Sequence, residues 1–284
     1  MKNQLIMIEG IPGSGKTTCA RNLEAYLKEK GLNVQLFIEG DVHPVDMAWQ
    51  AYLSKEEYKN LLKQYPEQEA SIRAWTKVNG DNATIAYTKL GFYPNQNELM
   101  NFLEAHEIYD GRVSLETFEK LHLERWGSFM LPKEQVAIFE CAYLQNNIGE
   151  LMSIYAKPKR YIYDYLERLI RQVEHLSPLL IYLTQPSVEE TIGRVAKERK
   201  SPDKSRWEDW IDIVIRFVED STYGRKYHLR GVEGMIEFYK RRRALELEVI
   251  EKLPIECIKL ENPNYDWDLL NKQIKALIED RINR

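Results

Sequence analysis

Residues 10–17 read GIPGSGKT, and their types and spacing suit one task, holding a chain of phosphates. Gly10, Gly13 and Gly15 let the backbone pass close to an anion and turn its N–H groups inward. Gly10, Gly15, Lys16 and Thr17 fit G-x-x-x-x-G-K-[ST]. Lys16 can reach β- and γ-phosphate oxygens, and the Thr17 hydroxyl can ligate Mg²⁺. A helix beginning at Lys16 adds the positive end of its dipole. Pro12, Ser14 and Thr18 complete the segment that would touch a nucleoside triphosphate such as ATP. A plain tight turn would account for the glycines but not for the lysine and threonine.

Such a loop works only between a buried strand and a helix. Leu5-Ile6-Met7-Ile8 is a continuous apolar run, as expected of a strand buried on both faces. Ala20, Leu23 and Leu27 then recur at helical spacing, before Lys28, Lys30 and Gly31 close the helix. Strands are expected at Gln4–Glu9, Val34–Glu39, Gln135–Glu140, Leu179–Thr184 and Pro254–Leu260. Helical patterns separate them, so the alternation predicts α/β architecture with a parallel sheet. Residues 42–134 are too long for a bare loop. Helix-like pieces at Lys55–Gln64 and Ser114–Trp126, broken by YPEQ, VNGDN and FYPNQ, predict a helical insertion beside the sheet.

Chemistry in open parallel sheets gathers at the carboxyl ends of the strands. The second strand runs into FIEGDVHP. Asp41 is the favoured base for an acceptor proton there, with Glu39 as the alternative. The third strand closes on Glu140, in the position of an acid that orients Mg²⁺. Gln145 and Asn146 follow as polar neighbours or helix caps. The fourth strand leads into a helix capped by Ser187 with Glu190 three residues on. Near its end Arg194 and Arg199 could clamp a transferring phosphoryl group or simply match the helix C-terminus. Trp207, Trp210, Ile211, Val214 and Val218 form one packing face.

GIPGSGKT, the acidic EGD, Glu140 and QPSVEETIGRVAKER together resemble the nucleoside and nucleotide kinase branch of the P-loop NTPases, which includes deoxynucleoside and thymidylate kinases. The resemblance implies a three-layer α/β P-loop NTPase fold, with a five-stranded parallel sheet and the phosphate-loop strand at its centre. It covers the core strands and a helical lid at about 194–230 but not the insertion; the chain is expected to form a single domain over 1–284, with a helical acceptor-site insertion at about 45–133. The resemblance also implies ATP- and Mg²⁺-dependent phosphoryl transfer to a small molecule, a nucleoside or nucleotide first. The chain departs from the branch after Glu140, where CAY replaces the arginine-serine pair of deoxynucleoside kinases. It also lacks the aspartate-arginine-tyrosine signature of thymidylate kinases.

Within the insertion Trp75, Tyr87, Tyr93, Tyr109, Arg112, His122, Arg125 and Trp126 could stack a base or pair with phosphate, and His43 could line the acceptor site. Each also reads as packing or a solvated loop residue. A nucleotide-switched regulatory protein is the competing class, but no N-K-x-D base-reading segment stands at the late strand PIECIKLENPN. Net charge is −4, from 40 basic and 44 acidic residues, so no global field favours nucleic acid. The basic run in YKRRRALE reads as a solvated helix face. Cys19, Cys141 and Cys257 have no metal-ligand spacing and read as small thiols in a reducing compartment. No apolar run approaches the roughly 20 residues a membrane span needs. The expectation is a soluble cytoplasmic protein with no membrane or nucleic-acid partner.

Overall fold

The structure, a computed structural model, describes residues 2–91, 98–204 and 208–282. Tyr93 and Trp207 lie outside the described residues, as does part of the expected lid. The chain forms two compact units, Met1–Asp41 with Arg125–Arg284, and Val42–Glu124.

In chain order the first unit opens with β1 (Leu5–Glu9), α1 (Lys16–Glu29) and β2 (Asn33–Phe37). The second unit holds β3 (Ala51–Ser54), α2 (Lys55–Gln64), α3 (Glu69–Ala74), β4 (Thr76–Asn79), β5 (Asn82–Ile85) and α4 (Glu98–Glu104). The point of division falls within α5 (Leu115–Gly127). The first unit resumes with β6 (Gln135–Glu140), α6 (Gln145–Ser153), α7 (Lys159–Gln172), β7 (Leu179–Thr184) and α8 (Val188–Glu198). It ends with α9 (Trp210–Asp220), α10 (Thr222–Lys226), α11 (Gly231–Ile250), β8 (Glu256–Glu261) and α12 (Trp267–Ile282).

The main sheet has the order β2-β6-β1-β7-β8, and every pairing in it is parallel. β1 is central, with Ile8 opposite Glu140 on one side and Glu9 opposite Tyr182 on the other. From β1 the chain passes to β2 on one side, and from β6 it later crosses to β7 on the other, so the carboxyl end of β1 is a topological switch point, where such sheets bind ligands. Leu5 to Ile8 are all fully buried, which is why that strand reads as an unbroken apolar run. On one face Ile6, Ile8, Ile138 and Ile181 pack against Ala20, Leu23 and Leu27 of α1 and Leu270, Ile274 and Ile278 of α12.

β2 stops at Phe37, two residues short of the sequence expectation. Its pairing with β6 runs only to Phe37–Phe139. Beyond it the chain turns, with the Asp41 amide donating to the Ile38 carbonyl and Gly40 at φ 87°. Glu39 and Asp41 therefore sit on a turn beyond the strand.

The second unit contains an antiparallel sheet, β3-β5-β4, among its helices. Its strands are four residues each, too short for their alternation to stand out beside helical patterns. VNGDN proves to be the β4–β5 hairpin turn, with Gly80 at the positive φ (56°) that primed turns require. α2 follows β3 through a capping box between Ser54 and Glu57. Leu53, Leu61, Ile72, Ile85, Leu99 and Leu103 form this unit's core. Among the described residues no helix is long and apolar enough to cross a membrane.

Candidate functional site

The loop between β1 and α1 has the backbone a phosphate nest needs. Gly13 and Gly15 adopt φ 81° and 91°, which a side chain would strain. Space excludes side chains too. A Cβ at Gly13 would overlap Val195 Cγ2 on α8, and one at Gly15 would overlap the Trp267 ring. The loop is thus clasped between α8 and the start of α12. Gly15 caps α1 with no side-chain hydrogen bond and no acid stands in the first turn, so its leading N–H groups face no built-in anion. Ser14 Oγ is buried without a partner. Lys16 Nζ donates to the Ile11 carbonyl at 3.1 Å, along the inner side of the loop.

Glu140, at the end of β6, joins the elements together. Its Oε1 accepts from Thr17 Oγ1 at 3.1 Å and from the Cys141 thiol at 3.0 Å. Its Oε2 accepts from the Glu39 amide at 3.0 Å. Glu39 in turn accepts from Gln145 Nε2 at 3.2 Å. The sequence-predicted residues Lys16, Thr17, Glu39 and Glu140 therefore share one neighbourhood. Asp41 does not join this set among the described contacts; its Oδ2 accepts from the Ile38 amide at 3.3 Å, inside its own turn. Thr17 and Glu140 supply the hydroxyl and carboxylate that suit a hard cation such as Mg²⁺.

Glu9 was missed in the sequence, although it closes an apolar run as Glu140 does. It is fully buried at the last position of β1, and accepts from the amides of Tyr143 at 2.7 Å and Gln145 at 3.0 Å. Burial pushes its carboxyl up to about 7, against the lowering pull of those amides. Glu9 thereby fixes the turn that carries Gln145.

Arg194 and Arg199 both stack on aromatic rings. The Arg194 guanidinium lies 3.6 Å from the Tyr265 ring centroid, and Arg199 lies 5.6 Å from that of Trp210. Arg194 and Tyr265 line an open groove with Glu190, Gly193, Lys197 and Glu198. Tyr265 shares a 3.1 Å hydrogen bond with Thr191, whose neighbour on α8 holds Gly13. Of the expected α9 face, Val218 is buried, while Trp210, Ile211 and Val214 are half-buried.

The basic run 240–243 is engaged internally. Lys240 pairs with Glu189 and Arg241 with Glu237; Arg242 is buried against Glu246, and Arg243 donates to the Gln185 carbonyl at 2.7 Å. Trp126 is fully buried beside Phe139 and Tyr143. In the second unit Tyr87, Tyr109 and His122 are buried and Trp75 is exposed. His43 is buried and held neutral, its pKa lowered to about 3 by desolvation. Cys19 and Cys141 are buried free thiols and Cys257 is half-buried.

A five-stranded all-parallel sheet of this order, flanked by helices, with a phosphate loop after the central strand and an acid closing its neighbour, is a P-loop kinase-like fold. Residues 4–79, well under half of the chain, match the family described as chromatin associated protein KTI12. Thymidylate kinase from Ehrlichia chaffeensis aligns over 98% of this chain and 100% of its own, at 15% identity and a TM-score of 0.40. That likeness is too slight to bear on function, and the fold assignment rests on strand order and the loop. No curated protein sequence matches the chain.

Proposed function

We propose that the protein is an ATP-dependent kinase that moves the γ-phosphoryl group to a hydroxyl or phosphate of a small acceptor. The carrying observation is the linked set Thr17–Glu140–Glu39 beside Lys16, which puts a metal-suited acid and a second carboxylate at one strand edge. Lys16, Ser14 and the open α1 N-terminus bind the phosphates. Thr17 and Glu140 would hold Mg²⁺, which neutralises charge on the β- and γ-oxygens. Glu39 takes the acceptor-proton role ahead of Asp41, because Glu39 is tied to Glu140 and Gln145 while Asp41 is spent on its own turn. Arg194, flattened on Tyr265, offers a stacking edge to the nucleotide base rather than a clamp on the phosphoryl group.

Acceptor-dependent ADP release tests this reading. The panel is nucleosides, nucleoside monophosphates, sugars and aminoglycosides, and at least one should raise ADP release well above the rate with ATP alone. A second reading, a nucleotide-switched regulatory NTPase acting on a protein partner, is favoured by the match to a chromatin-associated family. Slow hydrolysis that no small molecule stimulates, with a protein bound only in the ATP form, would replace the first reading by the second.

A further inference from the structure

The turn between β8 and α12 is fixed from both ends. Asn262 is buried at its start; its amide donates to the Thr184 carbonyl at 3.2 Å, and its Oδ1 accepts from the Asp266 amide at 2.7 Å. The Asn262 carbonyl also accepts from the Tyr265 amide at 3.3 Å. Asp266 Oδ1 then accepts from the Leu269 amide at 2.9 Å and caps α12. Between these bonds Tyr265 is held at φ 54°, a left-handed conformation that a bulky residue keeps only where its surroundings over-determine it.

The turn delivers two aromatic rings to two different elements. Tyr265 reaches α8, where it shares a 3.1 Å hydrogen bond with Thr191 and stacks on Arg194. Trp267, with its ring centroid 6.1 Å from that of Tyr265, reaches the phosphate loop. Its ring covers Gly15 so closely that a Cβ there would stand 2.2 Å from Cζ3 and 2.6 Å from Cη2. α8 in turn covers Gly13 through Val195 and Thr191. The contacts close a circuit: Gly13 to α8, α8 to Tyr265, Tyr265 to Trp267, and Trp267 back to Gly15. Gly13 and Gly15 are the loop residues whose positive φ turns the neighbouring N–H groups inward. An unrestrained glycine visits positive and negative φ about equally, and a ring seated on Gly15 removes that freedom before any ligand arrives.

We propose that Trp267 is a positioning residue for nucleotide binding. It holds Gly15, and with it the start of α1, in the conformation that receives phosphates, and the contacts of Tyr265 with α8 keep Trp267 in place. It acts on the phosphates through the loop and not on the base. This rests on the reading of residues 10–17 as a phosphate loop, and it is independent of the acceptor.

Calorimetric titration of the full chain with Mg²⁺–ATP and, separately, with Mg²⁺–tripolyphosphate, which has neither base nor ribose, tests this. The parent should bind both. Trp267→Ala should weaken both by the same factor, about tenfold, the order expected when the backbone of one residue must be ordered on binding. Trp267→Phe keeps a shorter ring and should fall between Trp267→Ala and the parent. Tyr265→Gly unties the turn from α8 while relieving the left-handed strain, and should also weaken both ligands. Melting temperatures identify the variants that are folded at the titration temperature; if Trp267→Ala is not, Trp267→Phe and Tyr265→Gly are judged by the same criterion. Unchanged tripolyphosphate binding in the folded variants overturns the proposal. So does a loss confined to ATP, which would make Trp267 a wall of the base site, or a parent that binds ATP but not tripolyphosphate. A parent that binds neither overturns the phosphate-loop reading and the proposal together. Nucleotide binding without transfer to any acceptor overturns the kinase reading alone and leaves the role of Trp267 standing.

Discussion

Gly13→Ala tests the claim that α8 is seated on the phosphate loop. Two costs add at this position. Alanine at φ 81° must sit in the left-handed region, at about 1–2 kcal/mol. Its methyl must also displace Val195 Cγ2 while Thr191 Cγ2 stands 3.2 Å away, an overpacking cost of about 1–3 kcal/mol. The sum, about 2–5 kcal/mol, is a large share of the roughly 5–15 kcal/mol that holds a domain together. At about 2–4 °C per kcal/mol the melting temperature should fall by roughly 4–20 °C. Denaturant titration of Gly13→Ala, Val195→Ala and the double variant separates the two costs. Val195→Ala on its own destabilises by opening a cavity, but in the double variant the space it frees accepts the new methyl. A coupling of about 1–3 kcal/mol should appear, with the backbone strain left behind. Strict additivity, or a Gly13→Ala variant within about 0.5 kcal/mol of the parent, would refute the packing argument.

Other outcomes follow from the same site. Lys16→Ala should keep the circular dichroism of the parent and lose about 10²–10³ in phosphoryl transfer; near-normal turnover would remove Lys16 from the mechanism. Glu39→Gln should lower kcat by about 10²–10⁴ where proton transfer limits the rate, with ATP affinity little changed; the same loss in Asp41→Asn alone would return the role to Asp41. Arg194→Ala should weaken ATP binding by about tenfold, as loss of a stacking cation–π edge implies, measured by calorimetry. Glu9 should make stability pH-dependent. Its folded pKa of about 7 lies above the ordinary 4.5, so its favourable contribution is complete below pH 4.5 and is lost as pH rises through 7. That window spans at most about 3 kcal/mol, and Glu9→Gln should reduce the slope in denaturant melts from pH 4.5 to 8, with Glu107, whose carboxyl burial raises to about 8, supplying slope of the same sign. A slope unchanged by the substitution assigns it to other groups.

The parallel sheet and the phosphate loop were legible because strong local signals coincide there. Apolar runs such as QVAIFE, too short for a helix, read as buried strands, and a glycine-rich turn carrying Lys16 and Thr17 has one obvious chemistry. Glu140 was legible by position at a strand end, whereas its 3.1 Å bond to Thr17 is a contact across the fold. The small sheet was hidden because AYLS, TKVN and NATI are too short to carry a period. The proposed preference for Glu39 over Asp41 rests on the turn at Gly40, which the sequence names but does not orient. Glu9 and the Arg194–Tyr265 stack depend on contacts between residues 70 or more positions apart, and no local pattern encodes those.

Cys141 has a consequence for selectivity between hard and soft ions. Its thiol, held protonated by burial and at φ 68°, sits with the carboxylates of Glu39 and Glu140 within 4.8 Å of one another. Two oxygen donors alone would leave a hard site that thiophilic metals have little reason to enter. A sulfur donor beside them gives zinc or cadmium a ligand that magnesium cannot exploit, once the metal has displaced the thiol proton. Sulfur at this position therefore exposes Glu140, the carboxylate that suits magnesium, to poisoning by heavier ions, a liability that serine at 141 would largely remove.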